Sequence, residues 1–103
     1  MKYAVVWSEN GGPLYAGRLE LADRCVRLAG RAGQAWESDR ALFYEELAGV
    51  RVERRLQARL SGRPTLVLER RNGGGLRIAS VEGPGSLHEL AERLEAARGK
   101  AGA

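Results

Sequence analysis

The sequence predicts a mainly β domain closed by a single C-terminal α-helix. Apolar residues recur with period two from Tyr3 to Val81, the spacing of a half-buried strand. Turn signals such as Asn10-Gly11-Gly12-Pro13 and Asn72-Gly73-Gly74-Gly75 punctuate that alternation. Only after Gly83-Pro84-Gly85 does the spacing change to that of one helical stripe.

At 103 residues the chain suits one domain with one core. Its composition, 44% hydrophobic and 29% charged, lies near the globular average and away from that of disordered chains. The expected unit is residues 1–99, with 100–103 as a loose tail.

Taken in order, Tyr3 to Ser8 is the first strand, with Tyr3, Val5 and Trp7 on one side. Asn10 to Pro13 reverses the chain, because glycine tolerates positive φ and proline cannot donate within a central ladder. Leu14 to Leu21 returns as the second strand, with Tyr15, Gly17, Leu19 and Leu21 on one face. After the tight connection Ala22-Asp23-Arg24, a third strand runs from Cys25 to Ala29 with Val26 and Leu28 inward. Gly30 to Gly33 ends it, and Gln34 to Glu37 around Trp36 forms a short fourth strand.

From Ser38 to Gly49 the pattern fits either a helical turn capped by Asp39 or an extended Leu42-Phe43-Tyr44; a brief strand followed by a turn is favoured. Val50 and Val52 start a strand reaching about Arg55, and Leu56 to Gly62 stays open between loop and helical turn. Leu66 and Leu68 mark the next strand from Pro64, and Leu76 to Val81 pairs back onto it as a hairpin. A one-residue slip would expose the apolar residues of both arms.

Ser86 and Glu89 have the spacing of a capping box, with a helix beginning at Leu87. Leu87, Leu90, Ala91, Leu94 and Ala97 form its apolar stripe, Glu89 and Arg93 can pair one turn apart, and Gly99 ends it.

Two hairpins, several further short strands and a terminal helix resemble the pleckstrin-homology-like (PH-like) barrel, in particular small bacterial members of that superfamily. The residues that carry the resemblance are Leu14 to Leu28, Tyr44 to Val50, Arg63 to Leu68 with Leu76 to Ala79, and the helix. It implies two bent antiparallel sheets plugged at one end by the helix. In lipid-binding relatives, basic residues around the first hairpin loop hold phosphoinositides. Here that loop, Ser8 to Pro13, carries Glu9 and no base, and Arg18 is the only arginine in the following strand. A phosphate there would meet a carboxylate in place of a guanidinium fork.

No catalytic, cofactor or metal site is expected. Cys25 is the only cysteine and His88 the only histidine, so neither an intramolecular disulfide nor a zinc ligand set can form from such residues. A lone cysteine fits a reducing cytoplasm, and burial as a small apolar side chain is its expected role. Ser86 and His88 are two apart on the helix and point to different sides, which argues against a nucleophile pair between them. Neither glycine-rich segment has the P-loop lysine or the dinucleotide fingerprint. An enzyme would need a deep pocket lined by Tyr44, Trp36 or Trp7 with convergent polar groups. No segment is long and apolar enough to span a bilayer.

The formal net charge is +4 and the pI about 9.8, which favours anionic partners. Nearly all the bases are arginines, a bias also compatible with coding composition. The most concentrated feature is Arg51, Arg54, Arg55, Arg59 and Arg63, followed by Arg70 and Arg71. The leading expectation is a non-enzymatic interaction module that binds a protein or peptide along a sheet edge or beside the helix. The alternative is peripheral binding to acidic lipid or nucleic acid through those seven arginines. Few aromatics interleave with them, which gives base stacking little support. An exposed strand edge also leaves self-association open.

Overall fold

In the first strand, β1 (Lys2–Glu9), the alternation read from the sequence is kept: Tyr3, Val5 and Trp7 are buried on one side. β2 (Tyr15–Leu21) and β3 (Cys25–Ala32) bring Leu19, Val26 and Leu28 to the same side, followed by β4 (Trp36–Phe43) with Leu42. A 3-10 turn, Tyr44–Glu46, leads into β5 (Leu47–Glu53), β6 (Thr65–Arg70) and β7 (Gly75–Ser80), and the helix α1 spans Pro84–Ala101. This computed structural model describes residues 2–33, 36–53, 60 and 62–101.

All strand pairings are antiparallel, and the order across the sheet is β4-β3-β2-β1-β7-β6-β5. β1 is the pivot, with Trp7 opposite both Tyr15 of β2 and Ile78 of β7. The two halves expected as separate bent sheets are therefore continuous through β1, and the sheet curls into a half-barrel. Mainly β, with seven strands and one closing helix among the described residues, the architecture agrees with a PH-like barrel capped by its helix.

Leu87, Leu90 and Leu94 of α1 are at most 2% exposed and close the core over Leu47, Leu66, Leu68, Leu76 and Ile78. The helix lies against β5, the 3-10 turn, β6 and β7. Truncating any of the three leucines to alanine removes about 2–5 kcal/mol by lost burial and cavity formation. Polar ties fix the same docking: the Tyr3 hydroxyl donates to Glu89 Oε1 at 2.9 Å, and Arg98 Nη1 donates to the Ala48 carbonyl at 3.4 Å.

Several boundaries differ from the sequence reading, each for a visible reason. β3 runs through Gly30 to Ala32 because Gly30 pairs with Gly17 inside the sheet and does not form a turn. A Cβ on Gly17 would stand 2.0 Å from the Ala29 carbonyl oxygen, and one on Gly30 would stand 3.1 Å from Trp7 Nε1 and from Tyr15 Cβ. Gly17 lets the β3 backbone approach closely, and Gly30 makes room for the Trp7 indole, which stacks on Tyr15 with ring centroids 4.7 Å apart. The short fourth strand and the brief strand after it are one strand, β4, paired with β3 from Cys25↔Phe43 to Ala32↔Trp36. Gln34 and Ala35, part of that short strand, lie outside the described residues.

β5 begins at Leu47, three residues before Val50, because Leu47 is fully buried and a register shift between Leu47 and Gly49 restores the alternation. The expected strand end at Arg54 and Arg55, and most of the undecided segment from Leu56 to Gly62, lie outside the described residues. α1 starts at Pro84, three residues before Leu87, with Gly83 at φ +127° preceding it. Proline suits a first helical position because its missing N–H would be unpaired there anyway. Ser86 is thus the third helical residue and not a cap, and Glu89 faces Tyr3 and pairs with Arg93 at 3.2 Å. Gly99 does not end the helix, which continues through Lys100, so the expected loose tail is helical as far as Ala101. Arg98 and Lys100 in the last turn complement the negative end of the helix dipole.

Glycines in the two settings should respond oppositely to alanine. Gly17→Ala is expected to destabilise the fold by about 3 kcal/mol or more, through a backbone clash that cannot relax. Gly99→Ala, on an exposed helical site with open space around it, is expected to stabilise by about 1 kcal/mol. Urea denaturation of both variants checks the pair.

Candidate functional site

The alternation in β4 buries Leu42, and Tyr44 just past the strand is buried as well, so Phe43 between them turns outward at 45% exposure. Beside it the β2–β3 connection is tightly closed, with Ala22 N–H donating to the Cys25 carbonyl at 2.9 Å. Tyr44 locks this turn in place: its N–H donates to the Arg24 carbonyl at 3.1 Å and its hydroxyl to the Ala22 carbonyl at 2.6 Å. On the opposite wall, α1 presents only Ala96 and Ala97 between Arg93 and Lys100. Small helical side chains facing a fixed turn leave a groove of about 760 Å³, within the range of ligand sites.

The groove floor is apolar, built from Leu21, Ala22, Tyr44 and Ala97, and its rim carries Arg24, Arg93 and Lys100 against Asp23 and Glu45. The Tyr44 hydroxyl and the turn carbonyls are engaged in structural hydrogen bonds, and Arg93 is paired with Glu89. Cys25 is a free thiol and buried. Trp7 is fully buried in the core and Tyr44 contributes its ring, so the groove offers surface for an apolar segment but no convergent acid, base and nucleophile. Among the described residues no three His, Cys, Asp or Glu side chains gather as metal ligands, and no helix is long and apolar enough to cross a membrane.

A second depression, about 810 Å³, lies across β2, β3 and β4. Its charges alternate in sign: Lys2 pairs with Glu20 at 3.7 Å and Arg31 with Glu37 at 3.0 Å. Exposed pairs of this kind contribute at most about 1 kcal/mol and describe a solvated face.

The structure describes four of the arginines singled out from the sequence, and each is bonded to a neighbour. Arg51 on β5 bonds Glu69 at 2.9 Å and Glu53 at 2.8 Å, and the Glu69 hydrogen bond holds its guanidinium more firmly protonated than usual. Arg63 donates to the Ser80 carbonyl at 3.1 Å. Arg71 donates through Nε to the Glu45 carbonyl at 2.8 Å, and Arg70 bonds Glu9 at 3.0 Å. Arg63 and Arg70 flank opposite ends of β6, roughly 20 Å apart at strand rise. Arg54, Arg55 and Arg59 lie outside the described residues.

Glu9 is the unexpected element. It does not face solvent in the first hairpin loop: its Oε2 accepts from Arg70 and also from Arg40 Nη2 at 2.6 Å. Arg40 escaped the sequence reading, although it has the inward parity of Leu42, where a charge needs a partner. No protein-family model matches this chain, and no curated protein does either.

Both tyrosines that tie the helix end of the barrel have hydroxyl pKa values above the ordinary 10.0. Burial is the main cause in each; for Tyr3 the hydrogen bond and charge of Glu89 add to it, and for Tyr44 the nearby Cys25 and Asp23 do. A phenol with a raised folded pKa keeps its proton longer when folded. Its stabilisation is therefore complete below 10.0, the unfolded value, and is lost as pH rises through the folded one. Urea midpoints followed upward through pH 10 should fall, and Tyr3→Phe and Tyr44→Phe should each make the fall shallower.

Proposed function

We propose that this chain is a non-enzymatic, PH-like interaction module that binds an apolar segment of a protein partner in the groove beside α1. The observation that carries the reading is Phe43: a large aromatic left 45% exposed next to a wall of alanines, above a floor whose polar groups are already hydrogen-bonded. Such an arrangement suits a partner side chain inserted between Phe43 and Ala97, with the charged rim setting orientation. The buried free thiol of Cys25 accords with a reducing compartment, and we place the module in the cytoplasm.

The alternative, an anionic surface held by the arginine cluster, has less support. Three of the four described arginines of that cluster, Arg51, Arg63 and Arg71, are each bonded to a carboxylate or a backbone carbonyl of their own, which leaves less of their charge for a phosphate backbone or a lipid surface.

Peptides selected against the whole chain by display provide the test. Phe43→Ala and Ala96→Arg are expected to weaken the selected peptides roughly tenfold or more, with the chain's stability changed by less than about 0.5 kcal/mol. Arg51→Ala should leave peptide affinity unchanged. Affinity insensitive to both groove substitutions, or binding confined to acidic vesicles or nucleic acid and abolished by salt, would reject the groove.

A further inference from the structure

At the rim of the barrel a group of side chains has more positive charge and more donors than its own partners use. Arg40 from β4 and Arg70 from the end of β6 converge on a single oxygen, Oε2 of Glu9, at 2.6 and 3.0 Å. Two guanidiniums face one carboxylate there, so the group has a net charge of +1. Each guanidinium carries five N–H donors. Arg70 is mostly buried, its side chain 16% exposed, and its Nε is fully enclosed with no hydrogen-bond partner among the described residues. Arg40, 42% exposed, keeps the group open to solvent.

Two glycine-rich turns stand beside this pair and are laced together. Asn10 at the β1–β2 turn donates its N–H to the Gly75 carbonyl at 2.9 Å and accepts from the Gly75 N–H through Oδ1 at 2.8 Å. Arg70 N–H in turn donates to the Gly74 carbonyl at 2.9 Å, and a Cβ added at Gly74 would stand 3.5 Å from Arg70 Nη1. The backbone around the pair is thus held in place, and glycines keep the approach unobstructed.

We propose that Arg40 and Arg70 bind a small oxyanion, a phosphate or carboxylate group, with Glu9 acting as the internal counter-ion that holds both guanidiniums ready. The anion takes N–H groups that Glu9 leaves unused and neutralises the residual charge in a site already partly withdrawn from water, where a guanidinium–oxyanion contact is stronger than at an open surface. Glu9 then has two opposed effects: it orders the arginines and it competes with the ligand. This site is separate from the groove beside α1, so either can hold without the other.

Inorganic phosphate and acetate are the probes, titrated into the whole chain at ionic strength held constant with chloride. Amide and arginine Nε–H nuclear magnetic resonance signals report binding. Saturable shifts at Gly73 to Gly75 and at the Arg70 Nε–H are expected, and the tighter of the two anions names the ligand class. Arg40→Gln should weaken binding roughly tenfold, the size of one charge-assisted hydrogen bond. Glu9→Gln should strengthen it by a similar factor, a gain that a purely structural role for Glu9 cannot produce. Arg40→Gln, at a partly exposed position, keeps the test valid if Glu9→Gln does not fold. Absence of saturable shifts with both anions, or an affinity that Arg40→Gln leaves unchanged, overturns the proposal.

Discussion

The packing of Trp7 against Tyr15 and Gly30 is the constraint on which the barrel depends. A fully buried indole in the central strand needs space that neighbouring strands do not ordinarily leave: Gly30 of β3 supplies it beside Trp7 Nε1, and Gly17, opposite it in β2, lets the β3 backbone approach closely. Glycine weakens a strand by roughly 0.5–1 kcal/mol relative to alanine. Burying an aromatic the size of tryptophan offsets that several times over. The β2–β3 hairpin therefore lies close over Trp7, and the sheet can curl instead of spreading flat.

Because β1 pairs on both sides, this packing couples the two halves of the molecule. Trp7 faces Tyr15 in one direction and Ile78 in the other, and the β6–β7 hairpin is held to the first four strands through β1. The curled sheet leaves a large apolar opening at one end, which three leucines of α1 fill. Alanine at positions 96 and 97 of the same helix keeps it from filling the space beside Phe43, so the groove results from the way the barrel is closed. At the two ends of the strand order, β4 carries Glu37, Asp39 and Arg40, while β5 carries a bulge with Arg51 and Glu53. Charges and bulges at such positions discourage edge-to-edge pairing with other chains.

Electrostatics in this chain are more local than the net charge of +4 suggests. Several described arginines meet a carboxylate or a carbonyl on a neighbouring element: Arg31 with Glu37, Arg51 with Glu69, Arg63 with the Ser80 carbonyl, Arg71 with the Glu45 carbonyl. The surplus is sharpest at Glu9, where two arginines share one acid. Positive charge placed on a rim held by backbone hydrogen bonds is more selective than the same charge spread over a mobile surface, because the donors are already oriented.

By itself the sequence determined the fold class, the two clear hairpins, the core faces of β1, β2, β3 and β6, and the leucine stripe of the helix. Each of these depends on local periodicity or turn chemistry, which a chain carries with it before it folds. Only the tertiary structure decided the rest. Gly30 looked like punctuation because nothing local distinguishes a glycine that ends a strand from one that accommodates a distant indole. Ser86 looked like a cap because the capping-box spacing ignores the proline two residues earlier, which starts the helix first. The arginines were expected to share an edge if their strands paired; β5 and β6 do pair, and an extended strand sets Arg63 and Arg70 at opposite ends of β6. Glu9, Arg40 and Arg70, 61 residues apart at their widest, meet only because the curled sheet brings β1, β4 and β6 to a common rim, and no short-range pattern encodes a contact between such distant strands.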